Sequence, residues 1–215
     1  LLDQLDDLGI ADNTIVFYST DNGVHYNTWP DAGITPFRSE KNSNWEGAYR
    51  VPAVARWPGR IKAGQVSNEV MSHLDWMPTL VAAAGDSNLK KDLLKGKRVG
   101  SKNSRLHLDG YNFLPYLTGK AERGPRREFI YHNDEGMPVG TRVGDWKVVF
   151  AENRAKTMAL WAEPFVTLRL FKLFHLRRDP FERADHNSNT YWDWMIDKAP
   201  QGYLGSAVTA RYLQT

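Results

Sequence analysis

No cysteine occurs among the 215 residues. Disulfides, thiolate metal sites and a cysteine nucleophile within this chain are therefore excluded. The absence does not fix a compartment, because many exported proteins also do without disulfides. Long apolar runs are absent too: none approaches the ~20 residues that a membrane-spanning helix needs. Excess charge of one sign is missing, the net charge being +3. That suits an anionic small substrate and gives no basis for a nucleic-acid partner. No HxxxH or HExxH spacing occurs, so a dedicated zinc site is not indicated, and neither a GxSxG elbow nor a Walker loop is found. Internal repeats and low-complexity segments are absent. What remains is an ordinary globular composition, 41% hydrophobic and 25% charged. It is long enough for one domain with a sizeable core, or for one domain and a smaller appendage.

The chain opens on Leu-Leu-Asp, inside an apolar-periodic stretch, and so reads as part of a longer polypeptide. Leu1, Leu2, Leu5, Leu8 and Ile10 fall at helical spacing, and Gly9 supplies a stop. Residues 14–20, TIVFYST, are almost continuously apolar and β-branched, which predicts a strand buried on both faces of a parallel sheet. Residues 21–50 carry little periodicity, and Pro30, Gly33 and Pro36 break regular elements. Trp29, Phe37 and Trp45 in this loop imply that it packs. A short strand is expected over 52–57 and a helix over 74–84, with Asp75 in its first turn and Gly85 ending it. The lysine-rich residues 86–106 read as an exposed insertion, and 112–117 as a short helix.

After Gly124-Pro125 the pattern changes. Strands are expected over 128–132, 139–143, 146–150 and 173–176, with Gly144-Asp145 as a two-residue hairpin turn. Helical segments follow at 188–198 and 203–213. The layout is an α/β part over 1–120 and a small antiparallel sheet with helices over 121–215.

The chemistry-bearing residues cluster between 21 and 50. Asp21 and Asn22 end a strand, the place where open α/β sheets bind ligands. A carboxylate beside an amide carbonyl offers hard oxygen donors suited to Ca²⁺ or Mg²⁺; the same pair also fits a plain Asx turn. Gly23 lets the chain turn away at once. Lys41 stands among Ser39, Asn42 and Ser43 and either binds an oxyanion or faces solvent. His25 offers a general acid, an anion donor or a ligand, or is an ordinary loop histidine. Glu46 and Arg50 are candidates for an ion pair holding the loop.

Taken together, TIVFYSTDNG, TPFRSEKNSNWEGAYRVPAVARWPGRI and SHLDWMPTLVAAAG resemble the C-terminal portion of the formylglycine-dependent sulfatases, bacterial arylsulfatases in particular. LDGYNFLPYLTG, REFIYHNDE, GTRVGDWKVVF and LFHLRRDPFERAD continue the resemblance in order, over most of residues 1–185. It implies part of an alkaline-phosphatase-like three-layer α/β sandwich with a small C-terminal antiparallel β-sheet subdomain plus helices. It implies Asp21 and Asn22 as ligands of Ca²⁺ (Mg²⁺ also fits), Lys41 as the contact to the sulfate group, and His25 in the substrate-facing loop. The implied partner is a sulfate-ester small molecule or a sulfated glycan. In the family a formylglycine hydrate attacks sulfur and the alcohol or phenol leaves; periplasmic and secreted locations are both compatible with it.

The departure from the family is specific. Formylglycine is made from Cys or Ser in a C/S-x-P/A-x-R motif, and no serine here begins that pattern. Ser101-Lys-Asn-Ser-Arg105 comes nearest, with Asn103 where Pro or Ala belongs. The aldehyde and the earlier acidic metal ligands are expected in an N-terminal part not contained in this sequence. Two alternatives stay open: a phosphatase or phosphodiesterase on the same fold, and a noncatalytic module that binds sulfated glycans.

Overall fold

The computed structural model describes residues 1–28, 30, 31 and 33–214, without the side chain of Thr28. In chain order its elements are α1 (Leu2–Asp7), β1 (Val16–Ser19), α2 (Glu46–Tyr49), β2 (Ala53–Arg56), α3 (Trp76–Ala83), α4 (Leu89–Lys95), β3 (Lys97–Val99), β4 (Lys102–Ser104), α5 (Leu114–Leu117), β5 (Glu128–His132), β6 (Pro138–Val143), β7 (Trp146–Glu152), β8 (Val166–His175), α6 (Ala184–Asn187), α7 (Tyr191–Asp197) and α8 (Ala199–Tyr212). They form two compact units that are discontinuous in sequence. One comprises residues 1–18 and 54–127, the other residues 19–53 and the chain from Glu128 onward.

In the first unit β1 pairs with β2 in a two-stranded sheet, and Phe17 lies against Trp76 with ring centres 3.9 Å apart. The expectation of a strand buried on both faces is corrected here. Two strands with little over them leave Tyr18 and Val54 each 63% exposed. A short 3₁₀ turn, His73–Asp75, leads into α3. Ser72 and Asp75 form its capping box, satisfying backbone donors that a helix start leaves without partners. Asp75 does more than cap. It is fully buried, accepts the Tyr111 N–H at 2.7 Å and takes a two-pronged bond from Arg126 at 2.8 and 2.6 Å. A bidentate guanidinium–carboxylate pair is among the stronger side-chain contacts.

The segment 86–106 is largely exposed, as expected, and is not structureless: α4 and the antiparallel hairpin β3–β4 occupy it. Leu89 and Leu93, one turn apart, bury the same helical face. Lys97 pairs with Asp86 and Asp92, and Lys90 lies 4.5 Å from the centre of the Tyr111 ring.

The second unit is built on the antiparallel sheet β5-β6-β7-β8. The Gly144-Asp145 turn sets Val143 opposite Trp146, as its sequence predicts. Strand period two then sorts β7 onto two faces. Trp146, Val148 and Phe150 pack with Tyr191 and Met195 of α7. Lys147, Val149 and Ala151 turn the other way, toward residues 45–49: Val149 joins Trp45 and Phe174, and Ala151 joins Tyr131 and Tyr49. β8 is longer than the four residues its sequence marked, because Val166–Lys172 pair along β7 although many of their side chains are exposed.

Candidate functional site

Residues 38–49 are pinned to the sheet of the second unit by buried charge. The Lys147 ammonium is fully buried, 2.7 Å from Glu182 and 3.2 Å from Glu46. Glu46 also accepts from the Tyr131 hydroxyl at 2.7 Å, and its backbone N–H donates to Glu182 at 2.7 Å. Burial alone would push Glu46 up, but Lys147, the Tyr131 hydroxyl and Arg142 hold its carboxyl below the ordinary value. Burial and the neighbouring Glu46 carboxylate leave Glu182 above it, Lys147 offsetting only part. Two carboxylates thus share one ammonium. The expected Glu46–Arg50 ion pair does not form: Glu46 faces Lys147, while the Arg50 guanidinium sits 4.4 Å from the centre of the Phe37 ring.

Two glycines bring the loop and the strand end together. Gly23 donates to the Ala48 carbonyl at 2.7 Å, and Gly47 donates to the Arg38 carbonyl at 2.8 Å. The reason for glycine at position 23 is this close approach rather than a turn alone. Arg38 adds bonds of 2.9 Å to Asp185 and to the Glu182 carbonyl, with its guanidinium 3.4 Å from the centre of the Trp45 ring.

The next clamp is Glu40, which is 1% exposed. One carboxylate oxygen accepts the Tyr26 N–H at 2.6 Å and the other accepts the Thr157 N–H at 2.9 Å. Burial and then the Glu40 charge raise the Tyr26 phenol above its ordinary value, against a smaller opposing pull from Arg183. Beside this clamp Lys41 donates its backbone N–H to Val24 at 2.8 Å, so the lysine runs alongside the residues that follow Asp21 and Asn22. Asn42, held at φ 70°, donates to the Leu160 carbonyl at 2.9 Å. A left-handed conformation is one that asparagine tolerates better than most residues.

Lys41 and His25 converge on Trp161. The indole N–H donates to His25 Nε2 at 3.1 Å, and the Lys41 ammonium lies 5.7 Å from the centre of the Trp161 ring. Because indole is a donor only, His25 Nε2 must accept, which puts the ring proton on Nδ1, the nitrogen bonded to Asn27 Oδ1. Lys41 has no carboxylate partner among the described residues.

Asp21 is exposed and Asn22 half-buried. Neither side chain makes a hydrogen bond among the described residues, and the Asx-turn bond is not formed. Thr20 Oγ1 instead donates to the Asn22 carbonyl at 2.6 Å. Two uncommitted hard oxygen donors at a strand end fit Ca²⁺ as part of a ligand set, since Ca²⁺ takes six to eight oxygens. Among the described residues no group of three His, Asp or Glu is arranged to hold a metal.

The other histidines serve elsewhere. His175 packs on Trp146, His186 bonds Arg38, His132 lies against Tyr212 and His107 pairs with Asp109. In the loop Trp45 is buried and Phe37 packs on Phe181, as expected of its aromatics, while Trp29 lies outside the described residues. Sequence reasoning missed Glu40, Lys147, Glu182 and Trp161. Tyr26, Ser39 and Thr157 also help line an open cleft of about 900 Å³.

Comparison with known proteins places these observations. The model of the sulfatase family matches residues 1–86. Human N-acetylgalactosamine-6-sulfatase is 32% identical over 203 residues, covering 85% of this chain and 35% of its own. Mouse steryl-sulfatase is 35% identical over 138 residues, covering 61% of this chain and 20% of its own. The crystal structure of a sulfatase from Pseudoalteromonas sp. superposes with a TM-score of 0.73 at 25% identity, covering 98% of this chain and 40% of the other. The fold is therefore that of the alkaline-phosphatase-like sulfatases, and the chain spans well under half the length of these relatives.

Proposed function

We propose that this chain, a member of the sulfatase family, supplies the sulfate-binding and part of the calcium-binding side of a site that hydrolyses sulfate esters, aryl or carbohydrate. The observation that carries the reading is Lys41: an ammonium without a carboxylate partner among the described residues, held alongside the segment that bears Asp21 and Asn22.

Each residue type then has a chemical role. A sulfate ester carries anionic nonbridging oxygens, and charge grows on the bridging oxygen as the S–O bond breaks. The Lys41 ammonium, on a main chain held by the bond to Val24, would stabilise that charge. The Asp21 carboxylate and the Asn22 side-chain amide oxygen would hold Ca²⁺, which when bound supplies further positive charge at the sulfate oxygens. With its proton on Nδ1, His25 presents Nε2 as an acceptor, which serves to orient Trp161 and the leaving-group side of the site. No residue of this chain fits the formylglycine precursor motif, so the nucleophile would come from elsewhere in the full-length gene product.

The test uses the full-length gene product with 4-nitrophenyl sulfate and sulfated saccharides. Lys41→Ala should lower kcat/KM about 10²–10³-fold, the scale of removing one preorganised charge donor. Asp21→Ala should raise the Ca²⁺ concentration that supports turnover. The 215 residues alone should release no 4-nitrophenol. Phosphate esters turned over in preference to sulfate esters would sink the sulfatase reading, and tight binding of sulfated sugars with no turnover would favour a noncatalytic module.

A further inference from the structure

We propose that Trp161 is a specificity residue: its exposed indole face receives the ring of the alcohol or phenol whose sulfate ester binds at Lys41. The inference rests on the sulfate reading of Lys41 and adds the class of leaving group.

Three observations carry it. The first is that Trp161 is 52% exposed while its one polar atom is already bonded to His25, so its free surface is apolar. Leaving that much indole in water has no structural return, and Met158 on the same 3₁₀ turn is 59% exposed.

Rigidity is the second. Leu160 is 1% exposed, and its carbonyl accepts from Asn42 at 2.9 Å and from Asn153 at 3.0 Å. Thr157, at φ 53°, is tied to Glu40 through its backbone N–H. A stacking surface fixed in advance binds at lower entropic cost than a mobile one.

Position is the third. The ring centre lies 5.7 Å from the Lys41 ammonium. An ester anchored at that ammonium by its sulfate oxygens has its next atoms beside the indole. A six-membered ring there presents a flat face, either the C–H face of a pyranose or an aryl plane, to a π surface. A flexible acyclic alcohol gains much less.

The test is made on full-length gene product bearing Trp161→Ala or Trp161→Phe, with folding checked by thermal melting. Ligands are 4-nitrophenyl sulfate, a 6-sulfated hexosamine, an acyclic alkyl sulfate and inorganic sulfate as a competitive inhibitor. Trp161→Ala should raise KM for one or both ring esters about tenfold, equivalent to ~1.4 kcal/mol. The alkyl sulfate KM and the inorganic sulfate inhibition constant should change less than about twofold. Trp161→Phe should stay within about threefold of the unaltered protein for ring esters. Whether the loss falls on the sugar, the aryl ester or both identifies the ring. Equal weakening of ring esters and inorganic sulfate would overturn the proposal, because Trp161 would then only prop Lys41 and His25; so would no change at all. If Lys41→Ala leaves inorganic sulfate binding intact, the sulfate reading fails instead. The ring contact is then still read by titrating the free sugar or 4-nitrophenol against Trp161→Ala.

Discussion

A Cβ placed on Gly23 would fall 1.8 Å from the carbonyl oxygen of Gly47. The strand end that carries Asp21 and Asn22 is thus locked to α2 by backbone contact alone, with a 2.7 Å bond from Gly23 to Ala48 beside it. Gly47 is as constrained, since its own Cβ would lie 2.1 Å from the Ser39 carbonyl oxygen. Backbone cannot yield as a flexible side chain can. Gly23→Ala and Gly47→Ala should therefore each cost roughly 1–3 kcal/mol or more, the range for overpacking. Urea unfolding measures the loss, and, on the proposed calcium role of Asp21 and Asn22, the same variants should raise the Ca²⁺ concentration that supports turnover in the full-length protein. Wild-type stability in both would show that the 38–48 loop adjusts freely.

Lys147→Met should be more damaging than its loss of one charge implies. It leaves Glu46 and Glu182 facing each other, fully buried, without the ammonium they share. Breaking a buried pair from one side costs roughly 3–5 kcal/mol. The triple change Lys147→Met, Glu46→Gln, Glu182→Gln should recover part of that loss. Chemical denaturation of the single and triple variants gives the comparison.

The same charges set a pH dependence with two limbs. Glu46 and Glu152 lie below the ordinary 4.5 in the folded chain; burial pushes each up, but Lys147 and Tyr131 for the one, Lys172 and Arg154 for the other, outweigh it. Their contribution is present above 4.5 and is lost as pH falls through their lower folded values. Glu182 lies above 4.5, chiefly through burial. The folded chain takes up that proton before the unfolded chain does, so stability rises as pH falls through the raised value toward 4.5. Melting temperature should peak at mildly acidic pH and drop below 4.5. Glu182→Gln should flatten the neutral limb and leave the acid limb in place.

Glu40→Gln is the isosteric test of the site clamp. Both Glu40 oxygens accept backbone N–H groups, from Tyr26 and from Thr157. A glutamine amide offers one acceptor and turns an NH₂ toward the other donor. An unmatched buried donor costs about 1–3 kcal/mol. The variant should be destabilised by that amount and should raise KM for sulfate esters, because Lys41 is the next residue. Unchanged KM together with lowered stability would separate the clamp from the site.

The antiparallel sheet was the most legible part of the chain. β5 was expected over 128–132 and is found as Glu128–His132, and the Gly144-Asp145 turn fixed the register of the next pair. Local chemistry decides such elements. Residues 86–106 are largely exposed as expected, but five lysines masked the helix within them, signalled by Leu89 and Leu93 at a spacing of four. β1 misled for another reason: an apolar strand says that something should cover it, not what does. For the proposed site, Asp21, Asn22, His25 and Lys41 stand close together in sequence, and the family resemblance points to Asp21, Asn22 and Lys41 and to the loop that holds His25. Glu40 and Trp161 are invisible by that route. Glu40 finds Thr157 at a separation of 117 residues, and Trp161 finds His25 at 136. Nothing local announces either pairing.

The bond from the Glu46 backbone to the Glu182 carboxylate spans 136 positions. During synthesis the loop bearing Lys41 leaves the ribosome long before the acidic side chain that secures it. Loop closure over such a distance must be paid before the contact returns anything. The loop that bears Lys41 should thus acquire its shape among the last steps of folding, after the C-terminal strands have assembled. Nascent chains halted before residue 182 should show it protease-sensitive.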